Sequence, residues 1–132
     1  MTSHIFVYGT LLSGARHPMG ARLARESQIL GEATIQGRLY NLGRYPGLVE
    51  SGDPADVVHG EVYALNSPAT TLAWLDAYEG ISSHAADNEY ERCERAVRLA
   101  SGAEVTAWVY LYRAPVTGRA AIAGGRWTSR RG

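Results

Sequence analysis

Ser67-Pro68-Ala69-Thr70-Thr71-Leu72-Ala73-Trp74-Leu75-Asp76-Ala77-Tyr78-Glu79-Gly80 is the stretch on which the fold turns. Serine is a good N-cap, and proline is tolerated at the first helical position. Leu72, Leu75 and Tyr78 then recur at helical spacing, with Trp74 beside them. Gly80 stands where a left-handed C-terminal cap is expected. The spacing predicts a helix over 68–79. No other stretch carries so full a set of helical signals, so the class depends on what surrounds it.

What surrounds it reads as strands. His59-Gly60-Glu61-Val62-Tyr63-Ala64-Leu65 alternates in strand fashion just before the helix. After a polar loop over 82–88, segments 90–99 and 104–112 read as an antiparallel hairpin turning at Ser101-Gly102. Near the start, His4-Ile5-Phe6-Val7-Tyr8 is a β-branched and aromatic run closed by Gly9. Residues 10–20 read as a turn leading to short helical structure, and 21–27 have helical propensity with weak periodicity. Segment 29–40 reads as a strand pair or a bent strand interrupted at Gly31 and Gly37. Residues 41–47 and 51–54 read as loops around a short strand at Leu48-Val49. About six strands with one strong helix predict an α+β domain: a small mixed β-barrel or strongly curled sheet with flanking helices. Residues 1–127 form one domain in this reading, and 128–132 form a mobile tail.

Composition narrows the function classes. The 132 residues are 45% hydrophobic and 20% charged, with formal net charge zero. That is globular composition without the basic excess of a nucleic-acid surface. No apolar run approaches the roughly 18 residues of a membrane helix, and no segment reads as a signal peptide. Cys93 is the one cysteine, which leaves no internal disulfide and no cysteine cluster for zinc. His4, His17, His59 and His84 show no ligand spacing, so no metal is expected. The simplest compartment is the cytoplasm.

Three groups of residues can carry chemistry. Glu79 is placed in the last helical turn, where the macrodipole presents partial negative charge and opposes ionisation. Burial against Trp74 or Tyr78 would add to that opposition. A carboxyl with a raised pKa suits a group that takes a proton and returns it near neutral pH. The same position also suits an ordinary solvated glutamate. Asp76 lies one turn earlier on the same face, as a second carboxylate or simply as an exposed one. Tyr8-Gly9-Thr10-Leu11 follows a strand and turns sharply, and its successive amide N–H groups can cradle a carboxylate or oxyanion. Tyr90 and Arg92 are two apart on a predicted strand and share a face. They can fix a polar substrate or form a surface pair. Cys93, on the opposite face, reads as a small buried hydrophobe rather than a nucleophile.

In this order the strings resemble the gamma-glutamylcyclotransferase-like family over nearly the whole chain. The resemblance rests on Tyr8-Gly9-Thr10-Leu11, Gly37-Arg38-Leu39-Tyr40-Asn41-Leu42-Gly43 and Tyr45-Pro46-Gly47-Leu48. It continues through Gly60-Glu61-Val62-Tyr63, Leu75-Asp76-Ala77-Tyr78-Glu79-Gly80, Tyr90-Glu91-Arg92, Ala107-Trp108-Val109-Tyr110 and Gly125-Arg126-Trp127. The Tyr-Gly-Thr-Leu form looks more like the gamma-glutamylamine branch and its small bacterial relatives than like the branch with Tyr-Gly-Ser-Asn. The resemblance implies a mixed barrel with a pocket at one end and a reaction that needs no cofactor. A gamma-glutamyl α-amine attacks its own side-chain carbonyl, releasing 5-oxoproline and an amine or amino acid. It implies Glu79 as the catalytic proton carrier. Tyr8, Gly9, Thr10, Leu11, Tyr90 and Arg92 are the substrate-binding candidates. The implied partner is a small gamma-glutamyl compound, with no nucleic acid and no membrane; the oligomeric state stays open. One departure is Arg126, where the family often carries an acidic residue before the tryptophan; it bears on the pocket wall and the leaving-group preference. Two other readings stand beside the enzyme: a non-catalytic small-molecule binding module of the same fold, and an interaction protein using the surface near Tyr45 and the arginine-rich tail. The last requires an exposed Glu79.

Overall fold

A computed structural model describes residues 2–81 and 88–127 of the chain. Most of the polar loop read over 82–88, and the tail read as mobile over 128–132, lie outside the described residues. The strands are β1 (His4–Val7), β2 (Ser27–Gln36), β3 (Arg38–Asn41), β4 (Pro46–Val49), β5 (Val57–Leu65), β6 (Tyr90–Leu99), β7 (Glu104–Tyr112) and β8 (Ala120–Ala121). Two α-helices, α1 (Pro18–Arg25) and α2 (Pro68–Tyr78), flank them.

Five strands close a barrel in the order β1-β5-β2-β6-β7. Neighbours are antiparallel except at the seam, where β1 runs parallel to β7 with Ile5 opposite Trp108. A small second sheet, β4-β3-β8, adjoins the barrel. The predicted mixed barrel with flanking helices is therefore the observed architecture.

Strand alternation sorts the apolar side chains into two cores. Phe6, Val62, Val97, Val109 and Leu111 belong to one cluster, with Leu39 and Leu48 of the small sheet. Their strand neighbours Ile5, Val7, Tyr63, Tyr110 and Tyr112 belong to the other, with Leu23 of α1 and Leu72 and Leu75 of α2. The barrel strands are thus covered on both faces, which is why β1 and β7 read as almost continuous apolar runs.

Local differences from the sequence reading have physical causes. Helix α1 is a single element from Pro18, capped by His17, whose Nδ1 accepts from the Met19 N–H at 3.1 Å. Histidine is not among the usual N-caps, so the helix start is easily missed. Gly31 does not interrupt β2; it forms a bulge after Ile29, and the break falls at Gly37. Ser67 precedes α2 as expected, but its side chain makes no capping bond. The helix start is fastened instead by Glu26, whose Oε1 accepts from the Thr71 hydroxyl at 2.7 Å and from Trp74 Nε1 at 2.9 Å. Strand β8 is too short to leave a pattern in the sequence.

Candidate active site

Glu79 owes its position to the way α2 ends. Gly80 has φ +79°, the left-handed conformation that glycine adopts without steric cost. The Gly80 N–H donates to the Ala77 carbonyl at 3.1 Å, and the Ile81 N–H donates to the Asp76 carbonyl at 2.9 Å. These two bonds make a Schellman cap with Glu79 as the C-cap residue. The helix side is held by Leu75, which is fully buried.

A cavity of about 410 Å³ opens at this helix end, and Glu79 lines it together with Tyr8, Gly9, Thr10 and Leu11. Tyr45, Pro46, Tyr78, Tyr90 and Tyr110 complete much of the wall. The loop after β1 is shaped by one turn, with the Leu12 N–H donating to the Gly9 carbonyl at 3.0 Å. Gly9 is required by close approach, because a Cβ there would sit 2.9 Å from the Pro46 ring. Among the described residues, no acceptor is found for the N–H groups of Gly9, Thr10 and Leu11. Backbone donors without acceptors cost free energy when dry, so this turn is suited to receive an anion.

The carboxyl of Glu79 is half-buried, and among the described residues no hydrogen bond or ion pair reaches it. Burial, followed by the nearby negative charge of Asp76, pushes its pKa up to about 7. That is the direction read from its helix-end position, although burial is the larger cause. Glu79 is therefore not the exposed residue that the interaction-protein reading requires.

The tyrosines are structural as well as lining. Tyr8 is buried; its hydroxyl donates to the Tyr110 carbonyl at 2.6 Å and accepts from the Leu48 N–H at 3.3 Å. Tyr8 thus offers the cavity its ring and backbone, its hydroxyl being engaged. The Tyr90 hydroxyl donates to the Pro46 carbonyl at 2.8 Å, fixing the wall that carries Tyr45. Thr10 Oγ1 and the Tyr78 hydroxyl share a hydrogen bond of 2.8 Å, which ties the turn after β1 to α2.

Three residues singled out in the sequence, Arg92, Asp76 and Arg126, do not line this cavity. Arg92 does share a strand face with Tyr90, but it does not line the cavity. Two residues of strand span roughly 7 Å, which carries Arg92 past the cavity to Asp76. Its Nε and Nη2 donate to the two Asp76 oxygens at 2.8 and 3.1 Å, and its guanidinium lies 4.3 Å from the centre of the Trp108 ring. Asp76 is likewise held outside the cavity lining, accepting also from the Tyr110 hydroxyl at 2.6 Å. Arg126 belongs to a different hollow, beside His59, Glu61 and Trp127, so it does not form the wall next to Glu79. Tyr110, Tyr45 and Pro46 were missed as lining residues; the signal available was their presence in the strings around Ala107-Trp108-Val109-Tyr110 and Tyr45-Pro46-Gly47. Among the described residues, no group of His, Cys, Asp or Glu side chains could hold a metal ion. No helix among them is long and apolar enough to cross a membrane.

A small closed barrel, with a half-buried carboxyl of raised pKa and, among the described residues, a turn of open amides in the same cavity, is the class that fold and site define. Comparison with known proteins sharpens it. The family model described as gamma-glutamyl cyclotransferase, AIG2-like, matches residues 5–129. The gamma-glutamylcyclotransferase family protein YtfP of Escherichia coli K12 is 38% identical over 128 residues, covering 96% of each chain. A putative gamma-glutamylcyclotransferase of Vibrio cholerae serotype O1 is 37% identical over 128 residues, again covering 96% of each. Among solved structures, the solution structure of Escherichia coli ytfP matches with TM-score 0.64 at 37% identity, over 94% of this chain and 95% of that one. The crystal structure of an AIG2-like protein from Mus musculus matches with TM-score 0.67 at 26% identity, over 86% and 80%. The chain belongs to the gamma-glutamyl cyclotransferase, AIG2-like family.

Proposed function

We propose that this protein is a gamma-glutamyl cyclotransferase in which Glu79 carries the proton. The observation behind the reading is a half-buried carboxyl, raised to about 7, lining one cavity with amides of Gly9, Thr10 and Leu11 that find no acceptor among the described residues. Membership of the family supports gamma-glutamyl compounds as the substrate class.

The chemistry follows from what the reaction needs. The substrate's α-ammonium has no lone pair and must first lose a proton, which Glu79 accepts. The freed amine attacks the substrate's own gamma-carbonyl carbon, forming a five-membered ring. As the C–N bond to the leaving group breaks, the departing nitrogen takes the proton back from Glu79, and the ring nitrogen gives up its remaining extra proton, which the released amine carries away as an ammonium. The products are 5-oxoproline and an amine or amino acid, and the carboxylate is regenerated. The amides of residues 9–11 hold the substrate carboxylate or the oxyanion that develops on the attacked carbonyl. Because ring closure is intramolecular, much of the catalysis lies in holding a reactive conformer. The tyrosine-rich wall supplies that confinement, and no cofactor enters the scheme.

The test is 5-oxoproline release from a panel of gamma-glutamyl amines, gamma-glutamyl dipeptides and glutathione, with wild type and Glu79→Gln side by side. Release by wild type alone supports the reading. Equal release by both removes Glu79 from the mechanism. Binding without release by wild type favours the non-catalytic binding module.

A further inference from the structure

Outside the cavity, one cluster of charged side chains is built with more care than its surface position requires. Asp76 is joined to two barrel strands at once: to Arg92 on β6 by two hydrogen bonds and to Tyr110 on β7 by one. Arg92 in turn lies over the ring of Trp108 on β7. The pair is about one-quarter exposed on each side, so it is screened less than an open surface pair. The main chain of Asp76 has a second task, since its carbonyl accepts the Ile81 N–H and closes the cap around Glu79. One residue therefore fastens the last turn of α2 through its side chain and its backbone together. Tyr110 meanwhile lines the cavity.

We propose that Asp76 and Arg92 are positioning residues that act through Glu79: Asp76 presents one negative charge a helical turn away, and Arg92 holds that charge in place and limits its reach. This rests on the reading of Glu79 as the proton carrier. Neither residue touches the cavity, so neither is assigned to substrate.

Among the described residues, the other groups facing Glu79 leave this pair in control. They are Tyr8 at the end of β1, Tyr78 on α2, Tyr45 before β4, Glu89 and Tyr90 around the start of β6, and Tyr110 on β7. Burial raises the pKa of Tyr8, Tyr78, Tyr90 and Tyr110, which keeps these phenols neutral. Glu89 is exposed at the rim. Asp76 is the near charge, and Arg92 is the cation paired with it.

Substitution of the two partners should thus move Glu79 in opposite directions. The experiment is a carbon NMR titration of the protein labelled at glutamate carboxyls, with Glu79 assigned by its loss in Glu79→Gln. Asp76→Asn removes the negative charge and should lower the Glu79 midpoint by about one pH unit. Arg92→Gln leaves Asp76 unopposed and should raise it by about half a unit. Tyr110→Phe, which removes only one donor to Asp76, should shift it the same way as Arg92→Gln by less, and it replaces Arg92→Gln if that variant does not fold. Steady-state kinetics accompany the titration. Asp76→Asn and Arg92→Gln should lose kcat by about tenfold with KM nearly unchanged.

Midpoints that stay put, or move together, overturn the proposal, because a purely structural brace has no reason to give opposite signs. A KM raised about tenfold or more in Arg92→Gln also overturns it, since that would mark direct substrate contact. The titration needs no turnover. Opposite shifts in a protein that releases no 5-oxoproline would retain the control of Glu79 and discard the cyclotransferase reading.

Discussion

Helix α2 meets a glutamate at each end, and the two are opposites. At its start, Glu26 accepts from Trp74, Thr71 and Arg22, and these donors hold its pKa down at about 2. At its end, Glu79 finds no donor among the described residues, and burial lifts it to about 7. The helix fields do not separate the two: Glu26 is itself the C-cap of α1 and Glu79 the C-cap of α2, so each stands at a helix end that opposes ionisation. The comparison teaches that neither residue type nor helix distinguishes a fastener from a proton carrier. The supply of donors to the carboxylate does.

The strongest way to break the comparison is to remove the carboxyl that lacks donors. Glu79→Gln should lower kcat by about 100-fold or more, the scale of general acid–base catalysis, with circular dichroism unchanged. Activity unchanged within twofold would place the proton transfer elsewhere.

The second is to follow pH. The folded pKa of Glu79 lies above its unfolded value near 4.5, so the folded state keeps a proton that the unfolded state has lost. This contribution is therefore lost as pH rises from about 4.5 through about 7, amounting to about 3 kcal/mol. Glu79→Gln removes the effect, so its melting temperature should exceed that of wild type by more at pH 8 than at pH 4.5. Glu26 has the reverse sign: its pKa is depressed, so its stabilisation is present above about 4.5 and is lost as pH falls toward about 2. Thermal melts of Glu26→Gln should fall below wild type at neutral pH and converge with it in acid. In the same window, kcat/KM of wild type should rise with pH through about 7, because only ionised Glu79 can accept the first proton.

A smaller effect comes from the cap. Gly80→Ala places a side chain at φ +79° and should cost about 1 kcal/mol in chemical denaturation. It should also cost activity, because the turn that aims Glu79 is disturbed. Stability lost with kcat intact would mean that the cap supports only the helix. The smallest effect is expected from Trp74→Phe, which deletes one donor to Glu26 and should lower stability by about 1 kcal/mol at pH 7. Most of that difference should vanish near pH 2, and a difference independent of pH would assign it to packing.

The sequence reading reached the barrel class, α2 and Glu79 because each left a local trace. A β-branched and aromatic run marked β1, alternation marked β5 and a hairpin pattern marked β6 and β7, while proline and glycine bracketed α2. The 9–11 turn was legible as a glycine after a strand. Its lack of acceptors was not, since that depends on which atoms fail to approach it. Arg92 shows the same limit. Its face was right, but its partner Asp76 is 16 residues away in the chain and is met only when α2 docks on the sheet. Glu26 was invisible for a similar reason, because both of its α2 donors come from the far side of β2 through β5.

The seam between β1 and β7 has a consequence in time. Ile5 is zipped to Trp108, and Tyr8 to the Tyr110 carbonyl, more than 100 residues along the chain. The β1 turn and the wall facing it cannot be assembled until β7 has been synthesised. Loop closure over such a length is slow compared with local helix formation. A growing chain on the ribosome therefore leaves the cavity open on one side through most of its synthesis, and a product cut short before β7 lacks the Tyr110 wall and the anchor of the Tyr8 hydroxyl.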